Sequence, residues 1–148
     1  MPRAVLIDLT SVSDARGLLT VAQYPPQIPF ATQRAFFVTA SPQGVVRGGH
    51  AHRACHQLLI VLHGRVLVEW EDDDGWQSVV LDATTKALYV PPLVWAQQTY
   101  LVDDSALAVL ASHPYDLDDY IDARGEAALE RARSASDPTS PNFVAPSE

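Results

Sequence analysis

The feature that most constrains the fold is the close spacing of turn signals along most of the chain. Short apolar or alternating segments recur between Ala4 and Ser112, and they are separated by turns rich in glycine, proline and aspartate. The clearest of these turns is Asp74-Gly75, a dipeptide typical of β-hairpins. The pattern predicts about ten short strands. We therefore expect an all-β sandwich or barrel.

The end of the chain has a different character. Good helix formers gather between Asp118 and Arg133, in the run Ala-Ala-Leu-Glu-Arg-Ala-Arg. The last residues are rich in Ser, Pro and Ala, a composition typical of disordered segments. We expect a single β domain at residues 1–121, a short C-terminal helix at 122–134 and a flexible, disordered tail at 135–148.

Charge and composition exclude several classes of function. The net charge of −8 and pI of about 4.9 argue against a broad surface for nucleic acid or anionic membranes. Cys55 is the single cysteine, so neither an intrachain disulfide nor a cysteine-rich zinc site can form. The N-terminus lacks a basic and apolar leader, and no apolar run is long enough to cross a bilayer. We expect a cytoplasmic protein without nucleic-acid or membrane partners.

The segment Gly44–Gly64 contains the residues best suited to chemistry. His50 and His52 are separated by one residue and precede the apolar strand Leu58–Leu62. Residues i and i+2 of a strand point to one face, so the two imidazoles should project side by side into one space. They could also be polar residues at a barrel mouth, but the flanking glycines and Arg47 weaken that interpretation. The other histidines, His56, His63 and His113, are predicted to be surface or turn residues.

The spacing of this segment resembles the first motif of the cupin superfamily, whose fold is a small jelly-roll barrel. Metal-binding cupins have Glu at the position of Gln57, and a third His at the position of Ala96. Two imidazoles and one amide are a poor ligand set for a divalent ion. We therefore predict no metal, although a metal-dependent cupin enzyme remains an alternative.

A closer resemblance extends from Asp14 to Ile121. The matching segments are Asp14–Leu19 (Asp-x-Arg-Gly-x-Leu), Ile28-Pro29-Phe30 with Arg34, Arg47–Arg53 (Arg-Gly-x-His-Ala-His-Arg), Gln57-Leu58-Leu59, Leu88–Trp95 and Leu110–Ile121. Together they resemble the sugar 3,4-ketoisomerases, WxcM-like cupins that act on dTDP-4-keto-6-deoxyglucose. The chain departs from this family at Phe36 and Phe37, which replace a Tyr-Tyr pair.

The resemblance implies an isomerase that moves a keto group between C4 and C3 of a dTDP-linked 4-keto-6-deoxyhexose through an enediolate. It implies no cofactor and a homodimer. His50 and His52 are the expected catalytic residues, because an imidazole titrates near pH 6.5 and can act as acid or base. The sequence does not decide which histidine handles the carbon-bound proton, although we favour His50. A non-catalytic cupin that binds sugar nucleotides is the alternative from a different class.

Six further residues are expected to bind the substrate. Guanidinium groups offer paired donors to phosphate oxygens, so three arginines are assigned to the diphosphate. Phe37 lies in the Tyr-Tyr position, Gln57 in the cupin carboxylate position, and Trp95 is either a core residue or a stacking platform. The predicted substrate-binding residues are Arg16, Arg34, Arg47, Phe37, Gln57 and Trp95.

Overall fold

The computed structural model describes residues 2–146, which form twelve strands and one α-helix. The elements are β1 (Val5–Asp8), β2 (Thr10–Asp14), β3 (Gly17–Val21), β4 (Arg34–Ser41), β5 (Val46–His52), β6 (Gln57–His63), β7 (Val66–Asp72), β8 (Gly75–Leu81), β9 (Lys86–Val90), β10 (Trp95–Tyr100), β11 (Ser105–Ala111), a 3-10 turn (Leu117–Asp119), β12 (Tyr120–Ile121) and α1 (Arg124–Ser136). The predicted all-β class is confirmed.

Two five-stranded antiparallel sheets make up the body of the domain. The first has the strand order β1-β9-β6-β11-β4, and the second has the order β12-β5-β10-β7-β8. The sheets stay separate in their hydrogen bonding, so the jelly roll is an open sandwich rather than a closed barrel. Strands β2 and β3 form a hairpin of their own.

The main core lies between the two sheets. In β7 the side chains of Val66, Val68 and Trp70 are buried, and they alternate with half-exposed residues. They meet Leu59 of β6 and Leu107 of β11 from the opposite sheet. Each fully buried aliphatic side chain contributes about 1.5–3 kcal/mol of transfer free energy.

A second apolar cluster covers the outer face of the first sheet. Leu58 and Ile60 of β6 pack there against Ile28 and Phe30, which come from the connection between β3 and β4. Strand β6 is therefore covered on both faces, which explains why its sequence is apolar without interruption. The predicted buried strand at Leu58–Leu62 is present, although Leu62 is exposed.

The C-terminal helix begins and ends two residues later than predicted, at Arg124 and Ser136 rather than at 122 and 134. The preceding residues are extended because Ile121 pairs with Ala51 of β5 and is buried there. The backbone N–H of Val144 donates to the carbonyl of Ala135, so the following segment runs back along α1. The flexibility expected for the tail stays a prediction. Its last two residues, 147 and 148, lie outside the described part of the chain.

None of the helices formed by residues 2–146 combines the length and the apolar character that crossing a membrane requires.

Candidate active site

A bulge at Gly48-Gly49 sets the direction of the side chains in β5. His50 lies opposite Ala96 of β10 and Arg47 lies opposite Gln98, so β5 accommodates one extra residue between these pairs. The two glycines adopt φ values of 81° and 83°, in the left-handed region that favours glycine. Ala96 and Gln98 share one face of β10. The bulge therefore brings Arg47 to the same face as His50, which an unbroken strand would not do.

A cavity of about 340 Å³ lies between the two sheets on this face. This volume is within the range of small-molecule binding sites. Five predicted site residues line it together: His50, His52, Arg47, Gln57 and Phe37. Its apolar wall is made by Phe36, Val38, Leu59, Val90, Val94, Leu107 and Val109. The cavity is thus largely apolar, with polar groups concentrated on β5 and β10.

His52 is held by a carboxylate behind it. Its Nδ1 donates to Oδ2 of Asp119 across 3.0 Å, and the same carboxylate accepts the backbone N–H groups of Ala54 and Cys55. The proton therefore sits on Nδ1, and Nε2 carries a lone pair. Burial, with the charges of His50 and Arg34, lowers the pKa of His52 to about 4 against the opposing effect of Asp119. His52 is a neutral imidazole at neutral pH.

His50 is less deeply buried than His52. Burial lowers its pKa below 6.5, while the charge of Asp122 and a hydrogen bond to the backbone of Gly48 act in the opposite direction. The two imidazole rings lie 5.0 Å apart between centroids and nearly perpendicular to each other. A single small molecule in the cavity can therefore contact both histidines.

Two buried polar atoms on the cavity wall have no hydrogen-bond partner within residues 2–146. They are Nε2 of His52 and the hydroxyl of Tyr100. Leaving a buried polar group unsatisfied costs about 1–3 kcal/mol, so such groups are usually reserved for a ligand or water. The unpaired Nε2 of His52 is therefore available to a ligand in the cavity.

The sequence analysis missed two site residues, Asp119 and Tyr120. Both are close to His52 because β12, a strand of only two residues, pairs with β5 and places Tyr120 opposite His52. A two-residue strand gives no periodic signal, and 67 residues separate Asp119 from His52. The available signal was the Asp119-Tyr120-Ile121 segment, which the resemblance included without a role for its polar residues.

Two predicted substrate-binding residues, Arg16 and Trp95, do not line this cavity, and their assignments need correction for the single chain. Arg16 is on the β2–β3 hairpin, where its side chain is 90% exposed and pairs with Asp14. Phe37, in contrast, lines the cavity, although it is 63% exposed. Trp95 is buried on the outer side of β5 beneath α1, so it is a core residue rather than a stacking platform.

Arg34 lies near His52 and Tyr120. Its Nε donates to the carbonyl of His113, its guanidinium stands over the Phe36 ring, and its charge acts on both His52 and Tyr120. His56 was predicted to be a surface or turn residue, but it is half-buried and bonds the hydroxyl of Tyr89 at 2.7 Å.

One group of possible metal ligands occurs within residues 2–146, formed by His52, Cys55 and Asp119. The His–Asp contact has hydrogen-bond length, and backbone N–H groups already occupy both carboxylate oxygens of Asp119. We therefore interpret the group as a hydrogen-bonded His–Asp pair. Gln57 and Ala96 on the cavity wall supply no carboxylate or imidazole ligand.

Several known proteins with similar sequences or structures are sugar 3,4-ketoisomerases. Residues 3–129 match the family described as FdtA, WxcM-like, C-terminal. TDP-4-oxo-6-deoxy-α-D-glucose-3,4-oxoisomerase of Aneurinibacillus thermoaerophilus is 34% identical over 116 residues, which are 78% of this chain and 84% of that enzyme.

Solved structures agree with this match. A point variant of the 3,4-ketoisomerase QdtA from Thermoanaerobacterium thermosaccharolyticum, in complex with TDP-4-keto-6-deoxyglucose, has a TM-score of 0.80 and 31% identity over 86% of this chain and 92% of that one. The TDP-quinovose 3,4-ketoisomerase WlaRB of Campylobacter jejuni has a TM-score of 0.81 and 25% identity, over 87% of this chain and 99% of that one.

Proposed function

The chain belongs to the WxcM-like C-terminal family, and we propose that it is a sugar-nucleotide 3,4-ketoisomerase that moves the keto group of a TDP-linked 4-keto-6-deoxyhexose between C4 and C3. The observation that carries this proposal is the pair of imidazoles on one wall of the cavity, with the unpaired Nε2 of His52 beside His50. The reaction exchanges two oxidation levels within one molecule, so it needs proton transfer and no external oxidant.

His50 is assigned to the carbon-bound proton. Removal of the proton from C3 requires a base whose pKa is near the working pH. The pKa of His50 is lowered by burial, whereas burial and neighbouring charges bring that of His52 to about 4. His50 is therefore the stronger base, and it returns the proton to C4 after the double bond has shifted.

His52 is assigned to the oxygens. The O3 hydroxyl must lose its proton as the ketone forms at C3, and the lone pair on Nε2 can accept it. Asp119 then stabilises the imidazolium that forms, because it already accepts the Nδ1–H group. Triosephosphate isomerase offers a parallel. There a neutral imidazole, whose pKa is lowered by its surroundings, acts on the substrate oxygens while a separate base acts on carbon.

Arg47 is assigned to the diphosphate. It lies on the cavity wall opposite Gln98 of β10, whereas His50 lies opposite Ala96, two residues earlier on that strand. Its guanidinium can pair with phosphate oxygens. The acidic surface elsewhere makes a local arginine the main source of attraction for the anionic substrate. Arg34, by contrast, lies where the reacting carbons are expected.

We further infer a homodimer. Apolar side chains on the β2–β3 hairpin are exposed in the single chain, and a second copy of the chain would cover them. Arg16 on this hairpin can act on a diphosphate only from a neighbouring subunit, because it lies outside the cavity of its own chain. The expected location in the cytoplasm stays a prediction.

The decisive experiment is NMR of TDP-4-keto-6-deoxyglucose incubated with the purified protein in D₂O. We expect the 3-keto isomer to form and deuterium to enter at the exchanging carbons. Tight binding of TDP without exchange would support a binding module instead. Turnover that is lost with exhaustive chelation and restored by one metal would support a metal-dependent cupin enzyme.

A further inference from the structure

The ring of Tyr120 packs against both catalytic imidazoles. Its ring centroid is 4.5 Å from that of His50 and 4.7 Å from that of His52. The residue lies directly opposite His52 in the β12–β5 pairing, so both side chains project from the same face. Tyr120 also lines the cavity. A molecule that contacts both histidines therefore meets this phenol as well.

Arg34 places a positive charge near the phenol of Tyr120. Its guanidinium lies over the rings of Phe36 and Tyr115, and its charge acts on Tyr120. A guanidinium has donors and no acceptor, so it can stabilise a phenolate oxygen but cannot take the phenolic proton. That proton therefore remains available to a molecule in the cavity that Tyr120 lines.

The isomerisation needs a proton donor that neither histidine supplies. When the C3–H bond breaks, negative charge develops on O4, and this oxygen must be neutralised. Nε2 of His52 carries no proton, because its proton is on Nδ1 and is donated to Asp119. His50 must be unprotonated in order to remove the carbon-bound proton. Phe36, which faces the same cavity, has no donor to offer.

We propose that Tyr120 is a third catalytic residue, which donates its phenolic proton to O4 while His50 removes the proton from C3. This inference rests on the proposed function. The C3–H pair of electrons forms the C3=C4 double bond, the C4=O π electrons move to O4, and the O4–H bond forms from the phenol. The tyrosinate produced is adjacent to the guanidinium of Arg34.

The second half of the reaction restores every group. The proton of the O3 hydroxyl passes to Nε2 of His52, the C3=O bond forms, and C4 receives from His50 the proton that was removed from C3. His52 then returns its proton to the tyrosinate, whose ring is 4.7 Å away between centroids. No proton is gained or lost overall, and neither an oxidant nor a reductant is required.

Burial raises the pKa of Tyr120 above 10, against the opposing effect of Arg34. The phenol therefore holds its proton at neutral pH and is available as a donor. Facing it are Arg34, Tyr115, Cys55 and the two histidines. Among these, Arg34 is the group that favours the tyrosinate during the reaction.

The test compares Tyr120→Phe with Tyr115→Phe. Phenylalanine keeps the ring that packs on both imidazoles and removes only the hydroxyl group. Tyr115 is a matched control, because its ring is 6.0 Å from that of Tyr120 but the side chain is 65% exposed. We expect Tyr120→Phe to lose about 100-fold in kcat and in C3 deuterium exchange, at an unchanged Kd for TDP. Tyr115→Phe should stay within about threefold of the unsubstituted enzyme.

A second variant separates chemistry from packing. Replacing Tyr120 with 3,5-difluorotyrosine keeps the ring and lowers the pKa of its hydroxyl group. A proton donor then gives kcat a new basic limb at the pH where the fluorinated phenol ionises, whereas a packing role leaves the pH profile unchanged.

The outcomes distinguish this inference from the function on which it rests. If the unsubstituted enzyme and Tyr115→Phe turn over and Tyr120→Phe does so within threefold of them, only the role of Tyr120 is wrong. An unchanged pH profile of the difluorotyrosine variant also overturns that role. If the unsubstituted protein neither turns over nor exchanges C3 deuterium, the proposed function fails and this inference fails with it.

Discussion

His50 and His52 are identical side chains on one strand face, yet their surroundings give them different properties. His52 is buried, donates to Asp119 and has a pKa of about 4. His50 is more exposed, and its pKa is lowered to a smaller extent because the charge of Asp122 and a backbone hydrogen bond oppose burial. Pairs of titratable groups whose surroundings separate their pKa values commonly divide acid and base roles.

Substitution of each histidine by Asn tests this division. Asn keeps hydrogen bonding but has no basicity near neutral pH, so each variant should lose about 10²–10⁴ in kcat. His50→Asn should also lose C3 deuterium exchange, whereas His52→Asn should retain part of it. Affinity for TDP, measured by calorimetry, should change no more than a few-fold in either variant. Exchange that survives in His50→Asn and disappears in His52→Asn would reverse the assignment.

At the residue scale, the sequence predicted the histidine pair, Arg47 and Gln57 as site residues, and all of them lie on the cavity wall. The histidine pair follows from simple strand alternation, whereas Arg47 and Gln57 were assigned from their chemistry and their motif positions. Asp119 and Tyr120 could not be placed, because their position depends on a long-range pairing between β12 and β5. Arg16 and Trp95 were assigned because they occupy positions in family motifs, but a motif does not show which face of a sheet a residue occupies.

At the scale of elements, the bulge in β5 decides which side chains share the cavity. Without the bulge, strand alternation from His50 would turn the Arg47 side chain to the outside of the sheet. The extra residue at Gly48-Gly49 returns it to the cavity side. The sequence contains the two glycines, but it does not reveal that they accommodate an extra residue. The all-β pattern was predictable for the opposite reason, because turn signals are local.

Gly48→Ala is expected to disturb the bulge. A Cβ at this position would lie 2.8 Å from Oε1 of Gln98 and 3.1 Å from the carbonyl oxygen of Ala96, at a φ of 81°. Gly44→Ala is the matched control, because its φ is 87° and no atom lies within 4 Å of the added Cβ. Both variants bear a conformational cost of about 1–2 kcal/mol.

Gly48→Ala should lose about 1 kcal/mol more than Gly44→Ala in urea unfolding, because the carbonyl of Ala96 belongs to the backbone and cannot move freely. It should also bind TDP about tenfold more weakly, since Arg47 changes direction. Equal losses of stability and of TDP affinity in the two variants would contradict the role of the bulge.

A buried arginine on α1 bonds the helix to the β-sandwich. Arg131 is 6% exposed, donates to the carbonyl of Leu93 at 2.8 Å, and lies 3.5 Å from Asp73. The backbone N–H of Leu93 in turn donates to the carbonyl of His52. Helix α1 is thereby connected to the catalytic strand through a single intermediate residue.

Arg131→Ala should therefore destabilise the protein by about 2–3 kcal/mol, because it leaves a carboxylate and a carbonyl without their partner. Arg133→Ala is the control on the same helix, since Arg133 is largely exposed and pairs with Glu130 one turn away. Its loss should not exceed about 0.5 kcal/mol. Urea unfolding measures both, and similar values for the two variants would show that the buried contact is not important.

At the scale of the whole molecule, buried neutral histidines link stability to pH. The pKa of His52 is about 4, and those of His50 and His56 are also lowered, each chiefly by burial. The folded state therefore binds fewer protons than the unfolded chain, whose histidines titrate near 6.5. Stability is fully present above pH 6.5 and falls as the pH decreases towards 4.

His52 alone should lower the free energy of unfolding by an amount on the order of 3 kcal/mol. Urea midpoints measured from pH 8 to pH 4.5 should show this loss below about pH 6.5. The decline should be smaller for His52→Asn and unchanged for His63→Asn, because His63 is exposed. A stability profile of His52→Asn that matches the unsubstituted protein would contradict the link.

The last prediction concerns the surface that a second copy would cover. Both strands of the β2–β3 hairpin are almost entirely exposed, including Val12, Leu18 and Leu19, which are 57%, 53% and 63% exposed. An isolated two-stranded hairpin is only marginally stable in water, so this apolar surface needs a partner. Charge at its centre should prevent association. At the same concentration, we expect the unsubstituted protein to sediment as a dimer and Leu19→Asp to sediment as a monomer.

Leu129→Asp is the matched control, because Leu129 is similarly exposed at 57% but lies on α1. It should sediment like the unsubstituted protein. The monomeric Leu19→Asp variant should also bind TDP more weakly if Arg16 acts across the dimer, and Arg16→Ala should lose a similar part of the affinity while remaining dimeric. A dimeric Leu19→Asp variant would show that the hairpin is not the interface. Unchanged affinity in Arg16→Ala would remove this arginine from the diphosphate site in either subunit.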